Sequence, residues 1–353
     1  MRNRRIRQVV WFTIVLVLVY TAFLVVTDAR RNLETLRRFP WASLPLILAA
    51  VLANFTLRWV KWEFYARAAG IRTPLSGSFM VYFSGLSMAI SPGRSGELIK
   101  PFMYKEYFGQ KMRHTIPLVF CERVSDLLGM VTLTVATAGA FAAGVVAARS
   151  GAGGQPRDST FGLSGGASVT LINVFLGLTV LTIATVVVTA RSKGFVYGAL
   201  RRLERISPRL AKLSHGLRRM YYKTHPLLTL RNLVIATALA SVSWFFECVA
   251  LWMVMQGVGA TQVTLAQSAF LFCMATIFGG FLFFAPGGLG GFEGAMGVML
   301  KLLGVAAAPA ATGMALIRFC TLFFSVALGF VFISLTGLKY HKAMQWDEFE
   351  NAD

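Results

Sequence analysis

Acidic residues are scarce in this sequence, and histidine and cysteine are scarcer still. Fifteen Asp and Glu stand against 35 Lys and Arg, giving a net charge of +20, and there are only four histidines and four cysteines. The histidines fall in loops or tails without the spacing to carboxylates that metal ligands show. The cysteines lie singly inside apolar stretches, as small buried side chains do. We therefore expect no metal and no other cofactor.

The basic excess is not accompanied by any nucleic-acid-binding motif. Lys and Arg concentrate between and beyond the apolar runs, a distribution that indicates membrane topology and anionic lipid headgroups rather than DNA or RNA. The glycine-rich stretch GGLGG at 287–291 resembles a phosphate loop but lacks the Gly-Lys-Ser/Thr ending. We predict neither a nucleotide site nor a nucleic-acid partner.

Long apolar runs dominate what is present. Hydrophobic residues make up 56% of the chain, and its mean hydropathy is +0.63. Runs of roughly 20 residues suit helices that cross about 30 Å of hydrocarbon. Six full spans are predicted, at 9–27, 41–62, 115–146, 168–190, 232–257 and 310–338. We expect an all-α integral membrane protein with a single transmembrane domain over 1–353, its first span retained rather than cleaved as a signal peptide.

Two further apolar stretches, 75–104 and 265–304, are interrupted by Pro-Gly, which makes eight apolar segments in all. Pro removes a backbone donor and Gly tolerates unusual dihedral angles, so each interruption frees polar groups that must face protein or water. We predict that each stretch is a re-entrant hairpin of two half-helices. The expected hinge positions are Pro92, Gly93, Gly96, Pro286, Gly287, Gly288 and Gly290.

The loop 191–231 sets the predicted orientation. It carries eleven Lys or Arg against the single acid Glu204, which places it in the cytoplasm of a cell inner membrane and both termini with it. Its helix-like apolar spacing is typical of an amphipathic segment that binds anionic inner-leaflet lipids, although a solvated loop fits equally well. By the same count 28–40 lies outside, despite four Arg, and the flank from Arg58 and Lys61 onward is cytoplasmic.

The two broken stretches have similar surroundings. Pro92 precedes Arg123 by 31 residues, and Pro286 precedes Arg318 by 32. Repeat units are predicted at 41–146 and 232–338, each a span, a hairpin and a span. With the predicted topology, the hairpins enter from opposite faces and form an inverted repeat, as in many secondary transporters.

Charged residues within these apolar segments are candidates for function, because an intramembrane charge is costly. They are Arg94, Glu97, Lys100, Glu122, Arg123, Asp126, Glu247, Glu293 and Arg318. The arginines and the half-helix N-termini suit a phosphodiester. The glutamates suit a cationic headgroup or a proton instead. A third interpretation is that the charges pair with one another and only hold the hairpins in place.

Four segments, SPGRSGELIKPFMYKE, CERVSDLLGM, APGGLGGFEGAMGVMLKLLGV and LIRFCTLFF, together resemble the lysylphosphatidylglycerol synthase transmembrane-domain family, also called flippase-like. The resemblance covers nearly the whole chain and implies the handling or movement of membrane lipids. It also implies that six residues occupy the charged intramembrane positions of the family, namely Arg94, Glu97, Glu122, Arg123, Glu293 and Arg318. No transferase domain accompanies these segments, so the synthase activity is not expected here.

The sequence thus predicts a lipid transporter that binds the headgroup of a membrane lipid between two Pro-Gly hairpins and moves it between leaflets. The headgroup is unidentified, no ATP motif is present, and a homo-oligomer is compatible with the pattern. Two alternatives remain. One is a membrane-embedded lipid-modifying enzyme with Glu97 or Glu293 as general base. The other is a non-transporting anchor of a lipid-synthesis complex.

Overall fold

The chain is helical wherever its structure is described. The computed structural model describes residues 29–91, 96–150, 224–281, 286–288 and 290–350, with the isolated residues 177, 198, 201, 202 and 222. Over these ranges it contains no strand. The helices are α1 (Ala29–Arg38), α2 (Leu44–Ala68), α3 (Leu75–Gly85), α4 (Ile99–Phe108), α5 (Met112–Ser150), α6 (Leu230–Gly257), α7 (Leu265–Phe281), α8 (Gly291–Leu302), α9 (Ala307–Arg318) and α10 (Phe324–Glu350).

Four helical stretches are long and apolar enough to cross a membrane. They are Trp41–Ala68, Met112–Ala148, Leu230–Gly257 and Ala307–Gly337. These correspond to four of the six predicted spans and confirm the prediction of an all-α, multi-pass membrane protein. The predicted spans 9–27 and 168–190 and most of the basic loop 191–231 lie outside the described residues.

The first broken segment, 75–104, contains two short helices rather than one long one. Helix α3 ends at Gly85 and is followed by a 3₁₀ turn over Leu86–Met88, and α4 begins at Ile99. The backbone N–H of Gly96 donates to Ser91 Oγ at 2.8 Å and so joins the two described ends of the break. Pro92, Gly93 and Arg94 lie outside the described residues.

The second broken segment, 265–304, owes its sharp turn to glycine. Helix α7 ends at Phe281, and α8 begins at Gly291. Gly287, Gly288 and Gly290 have φ angles of +62°, +69° and +84°, in the left-handed region that side-chain-bearing residues rarely adopt. Gly288 also lies against α7, because an added Cβ would come within 2.9 Å of the carbonyl oxygen of Gly279.

The helices of the two predicted units pack in a reciprocal arrangement. The first helices of the units, α2 and α6, lie against each other. Helix α7 of the second unit packs on α5 of the first, where Phe270 stacks on Phe141 at 4.4 Å. Helix α3 of the first unit packs on α10 of the second, where Phe83 lies 5.0 Å from Phe332. Each broken segment is therefore held by the last helix of the other unit.

The arginine-containing segment 28–40, which the sequence analysis placed outside the membrane, contains helix α1. Arg30 and Glu34 pair across one turn of α1 at 3.6 Å. The opposite face packs on α9, where the Thr312 hydroxyl donates to Asn32 Oδ1 at 3.4 Å. Burial of Asn32 shows that α1 is part of the packed helical body.

Candidate functional site

A cavity lies where the two broken segments meet. Its volume is about 210 Å³, and Ser91 and Glu97 line it from the first broken segment while Gly287 and Gly288 line it from the second. Trp244 of α6 is also in the lining. Described residues of both broken segments therefore border the same space.

Next to this cavity, seven charged side chains from the first unit form one largely buried group, which we call the charge cluster. Its members are Arg58, Lys61, Glu97, Lys100, Glu122, Arg123 and Asp126. They come from α2, from the first broken segment and from α5. Four cations thus surround three carboxylates within the apolar part of the chain.

Glu122 is the most enclosed carboxylate of the charge cluster. Its side chain is 0% exposed, and Lys100 Nζ lies 2.5 Å from Oε2. Tyr82 donates its hydroxyl to Oε1 at 2.8 Å, and the Nη2 atom of Arg123 lies 3.2 Å from the same oxygen. The ammonium of Lys100 also lies between two aromatic rings, 4.5 Å from that of Trp62 and 4.6 Å from that of Tyr82. This carboxylate ties the first broken segment to α5.

Asp126, one turn further along α5, connects three long helices. Lys61 of α2 forms an ion pair and hydrogen bond with Oδ1. Trp244 of α6 donates its indole N–H to the same oxygen at 3.1 Å, and Arg123 Nη2 lies 3.1 Å from Oδ2. Arg123 also reaches the first broken segment, because its Nε atom lies 3.1 Å from Glu97 Oε2.

The second unit contains a simpler version of the same pairing. Arg318 Nε donates to Glu293 Oε1 at 2.8 Å, and the other oxygen of Glu293 accepts the N–H of Gly290 at 2.8 Å and so caps α8. The Arg318 guanidinium lies 3.8 Å from the ring centre of Phe292. A π-helical turn over Phe319–Phe323 follows Arg318 directly, a distortion often found at functional sites.

Arg58 and Lys61, which the sequence analysis placed on a cytoplasmic flank, also belong to the charge cluster. They lie within the long helix α2 and are 9% and 0% exposed, and the side of the membrane on which they lie stays a prediction. Arg58 lines the cavity, and its Nη2 atom lies 3.6 Å from both Glu122 and Asp126. One signal was available in the sequence. Both residues fall inside the predicted span 41–62, three positions apart on one helix face, and therefore met the criterion for intramembrane charges.

The remaining predicted residues divide by position. Glu97, Lys100 and Arg318 line the cavity, as does Glu247 of α6, whereas Glu122, Arg123 and Asp126 lie behind it in the charge cluster. In the described part of the chain, no group of three or more His, Cys, Asp or Glu is arranged to hold a metal ion. The arrangement can offer hydrogen-bond donors and charge to a polar ligand that enters between the two broken segments.

Residues 9–329 match the family model described as the lysylphosphatidylglycerol synthase TM region, and the chain therefore belongs to this family. No curated protein matches the chain. Family membership and the four apolar helical spans together define a multi-pass membrane protein with a function related to membrane lipids.

Proposed function

We propose that this protein is a lipid transporter that binds a lipid headgroup in the cavity between its two broken segments and moves the lipid between leaflets. The observation that carries the proposal is that one cavity is bounded by both breaks and lined by the charged residues Arg58, Glu97, Lys100 and Arg318. Charged side chains are costly inside an apolar helical body, and a cavity that they line can bind the polar headgroup of a lipid.

The lengths of the helices support a re-entrant arrangement. Helices α3, α4 and α8 have 11, 10 and 12 residues, which at 1.5 Å per residue gives about 15–18 Å, roughly half of the hydrocarbon thickness. None of these can cross a bilayer alone. The reciprocal packing of α3 on α10 and of α7 on α5 is what two related units of inverted orientation would produce.

The side-chain contacts are less favourable for the enzyme alternative. Glu97 pairs with Arg123, and both oxygens of Glu293 already accept hydrogen bonds from Arg318 and Gly290. Each candidate base is therefore already engaged by an arginine. The orientation of the termini and the binding of anionic lipids by 191–231 stay predictions from the sequence.

The test is lipid movement in liposomes that contain the purified protein. Phosphatidylglycerol with a fluorophore on its acyl chain keeps its headgroup unaltered, and externally added dithionite destroys only the fluorophore that reaches the outer leaflet. We expect about half of the signal to survive in empty liposomes and much less when the protein is present. A pH gradient across the bilayer then separates facilitated from proton-coupled movement.

Two substitutions locate the route. Thr276 lies on α7 in the cavity lining, so Thr276→Trp should fill the cavity and return fluorophore loss to the level of empty liposomes. Val298 of α8 is 36% exposed, and Val298→Trp should leave transport intact. Wild-type liposomes that behave as empty ones would sink the transport proposal. A new lipid product in the same liposomes, seen by mass spectrometry, would favour the enzyme, and neither movement nor product would favour the anchor.

A further inference from the structure

Two arginines from different units line the cavity with unused hydrogen-bonding capacity. Arg58 belongs to α2 and Arg318 to α9, and the two residues are 9% and 8% exposed. Arg58 Nε and Arg318 Nη2 are buried nitrogen atoms without a hydrogen-bond partner among the described residues. A buried N–H that makes no hydrogen bond loses the solvation of a polar group and gains nothing in return. Two such groups at one cavity indicate a ligand that accepts hydrogen bonds.

Each guanidinium is held by an aromatic ring and by a carboxylate. That of Arg58 lies 5.3 Å from the ring centre of Trp244, and its Nη2 atom is 3.6 Å from the two nearest carboxylates of the charge cluster, which is beyond hydrogen-bonding distance. That of Arg318 lies over Phe292, with Glu293 bound to its Nε atom. These contacts orient each side chain and leave part of its fork of donors available.

Three other polar groups of the lining are already engaged, and Glu247 of α6 adds a further carboxylate to it. Lys100 pairs with Glu122 at 2.5 Å, and Glu97 pairs with Arg123 at 3.1 Å. The Thr321 hydroxyl donates to the backbone of its own helix. The two arginines therefore keep positively charged N–H groups that can donate hydrogen bonds. The chemical group that best matches such donors is a phosphate.

We propose that Arg58 and Arg318 together hold the phosphate of the ligand, one from each unit, as a two-arginine clamp. This inference rests on the proposed function, to which it adds the two residues that contact the headgroup phosphate. The cavity of about 210 Å³ is below the range of about 300–1,000 Å³ typical of sites for drug-sized ligands. It suits a small headgroup, with the acyl chains left outside.

The test measures binding of four soluble probes to the purified protein in mild detergent by calorimetry. The probes are dioctanoyl phosphatidylglycerol, dioctanoylglycerol with the same chains and no phosphate, glycerol 3-phosphate, and inorganic phosphate. We expect binding of the first and none of the second. Glutamine in place of either arginine, Arg58→Gln or Arg318→Gln, should weaken binding about ten- to a hundredfold, the loss of one or two charge-assisted hydrogen bonds.

Arg67→Gln is the matched control, because Arg67 lies on the same helix as Arg58 with 62% of its side chain exposed. It should bind like the wild type. Arg58→Lys guards against misfolding, since it keeps the charge next to the charge cluster but loses the fork. It should elute as a single species and bind with intermediate affinity.

The outcomes separate this inference from the proposed function. Equal binding of dioctanoylglycerol, or unchanged binding by both glutamine variants, overturns the phosphate clamp even where liposomes still show lipid movement. Glycerol 3-phosphate or inorganic phosphate could instead bind as tightly as the phospholipid and lose this binding in the same variants. Such a result upholds the clamp. That result identifies a soluble phosphate as the ligand and overturns lipid transport.

Discussion

The ion pair of Lys61 and Asp126 gives the most specific stability prediction, because its two side chains are 0% and 2% exposed. Removing one member of a buried pair leaves an uncompensated charge and costs about 3–5 kcal/mol. Lys61→Met leaves Asp126 in contact with Arg123 and with the indole N–H of Trp244, each at 3.1 Å. Asp126→Asn leaves the Lys61 ammonium with neutral acceptors alone, the new amide oxygen and the backbone carbonyl of Glu122 at 3.4 Å. We therefore expect Asp126→Asn near the upper end of this range and Lys61→Met near the lower end.

The measurement is the free energy of unfolding of the purified protein in mild detergent, followed by circular dichroism during denaturant titration. The double variant Lys61→Met/Asp126→Asn removes both charges together and should lose less than the sum of the two single losses. Glu34→Gln breaks the exposed pair with Arg30 on α1 and should have no measurable effect. A larger loss for Lys61→Met than for Asp126→Asn, or strict additivity, would refute the assignment of partners.

Two glycine substitutions test the packing of the broken segments. Gly329→Leu should abolish monodisperse protein on size-exclusion chromatography, because a Cβ there would run into the backbone of the 3₁₀ turn, 2.7 Å from the Leu86 carbonyl carbon. The control Gly337→Ala, with no atom within 4 Å of the added Cβ, should be tolerated. Gly288→Ala should lower the unfolding temperature more than Gly290→Ala. Both add left-handed strain of about 1–2 kcal/mol, but only Gly288 also faces the Gly279 carbonyl; equal shifts would contradict the close approach.

The pairing of each post-break glutamate with an arginine illustrates how far the sequence reaches. The distance from each Pro-Gly break to the next arginine identified Arg123 and Arg318 as corresponding positions, and the structure joins them to Glu97 and Glu293 at 3.1 and 2.8 Å. The spacing succeeds because each carboxylate lies on or just before a short helix, and its arginine lies on the next helix, which a short turn connects to the first. Within a unit, chain geometry leaves few other ways for the two side chains to meet.

Contacts between helices far apart in the sequence were beyond the reach of such spacing. Arg58 and Lys61 look like the basic end of a span, and only the packing of α2 against α5 and α6 buries them beside Asp126. The role of Trp244 could not be predicted from the sequence either, because its indole contacts a carboxylate 118 residues away in the chain. Partners so distant in sequence share no periodicity that could reveal them.

The sequence by itself determined that this is a membrane protein, where its long helices lie and where its two breaks fall. Apolar length, proline and glycine act locally, through the hydrocarbon thickness and the dihedral angles of single residues. The tertiary structure alone decided that both breaks border one cavity and that Arg58 joins Arg318 in lining it. That outcome depends on how the helices of the two units pack on one another, and packing is a property of surfaces that the chain brings together only when it folds.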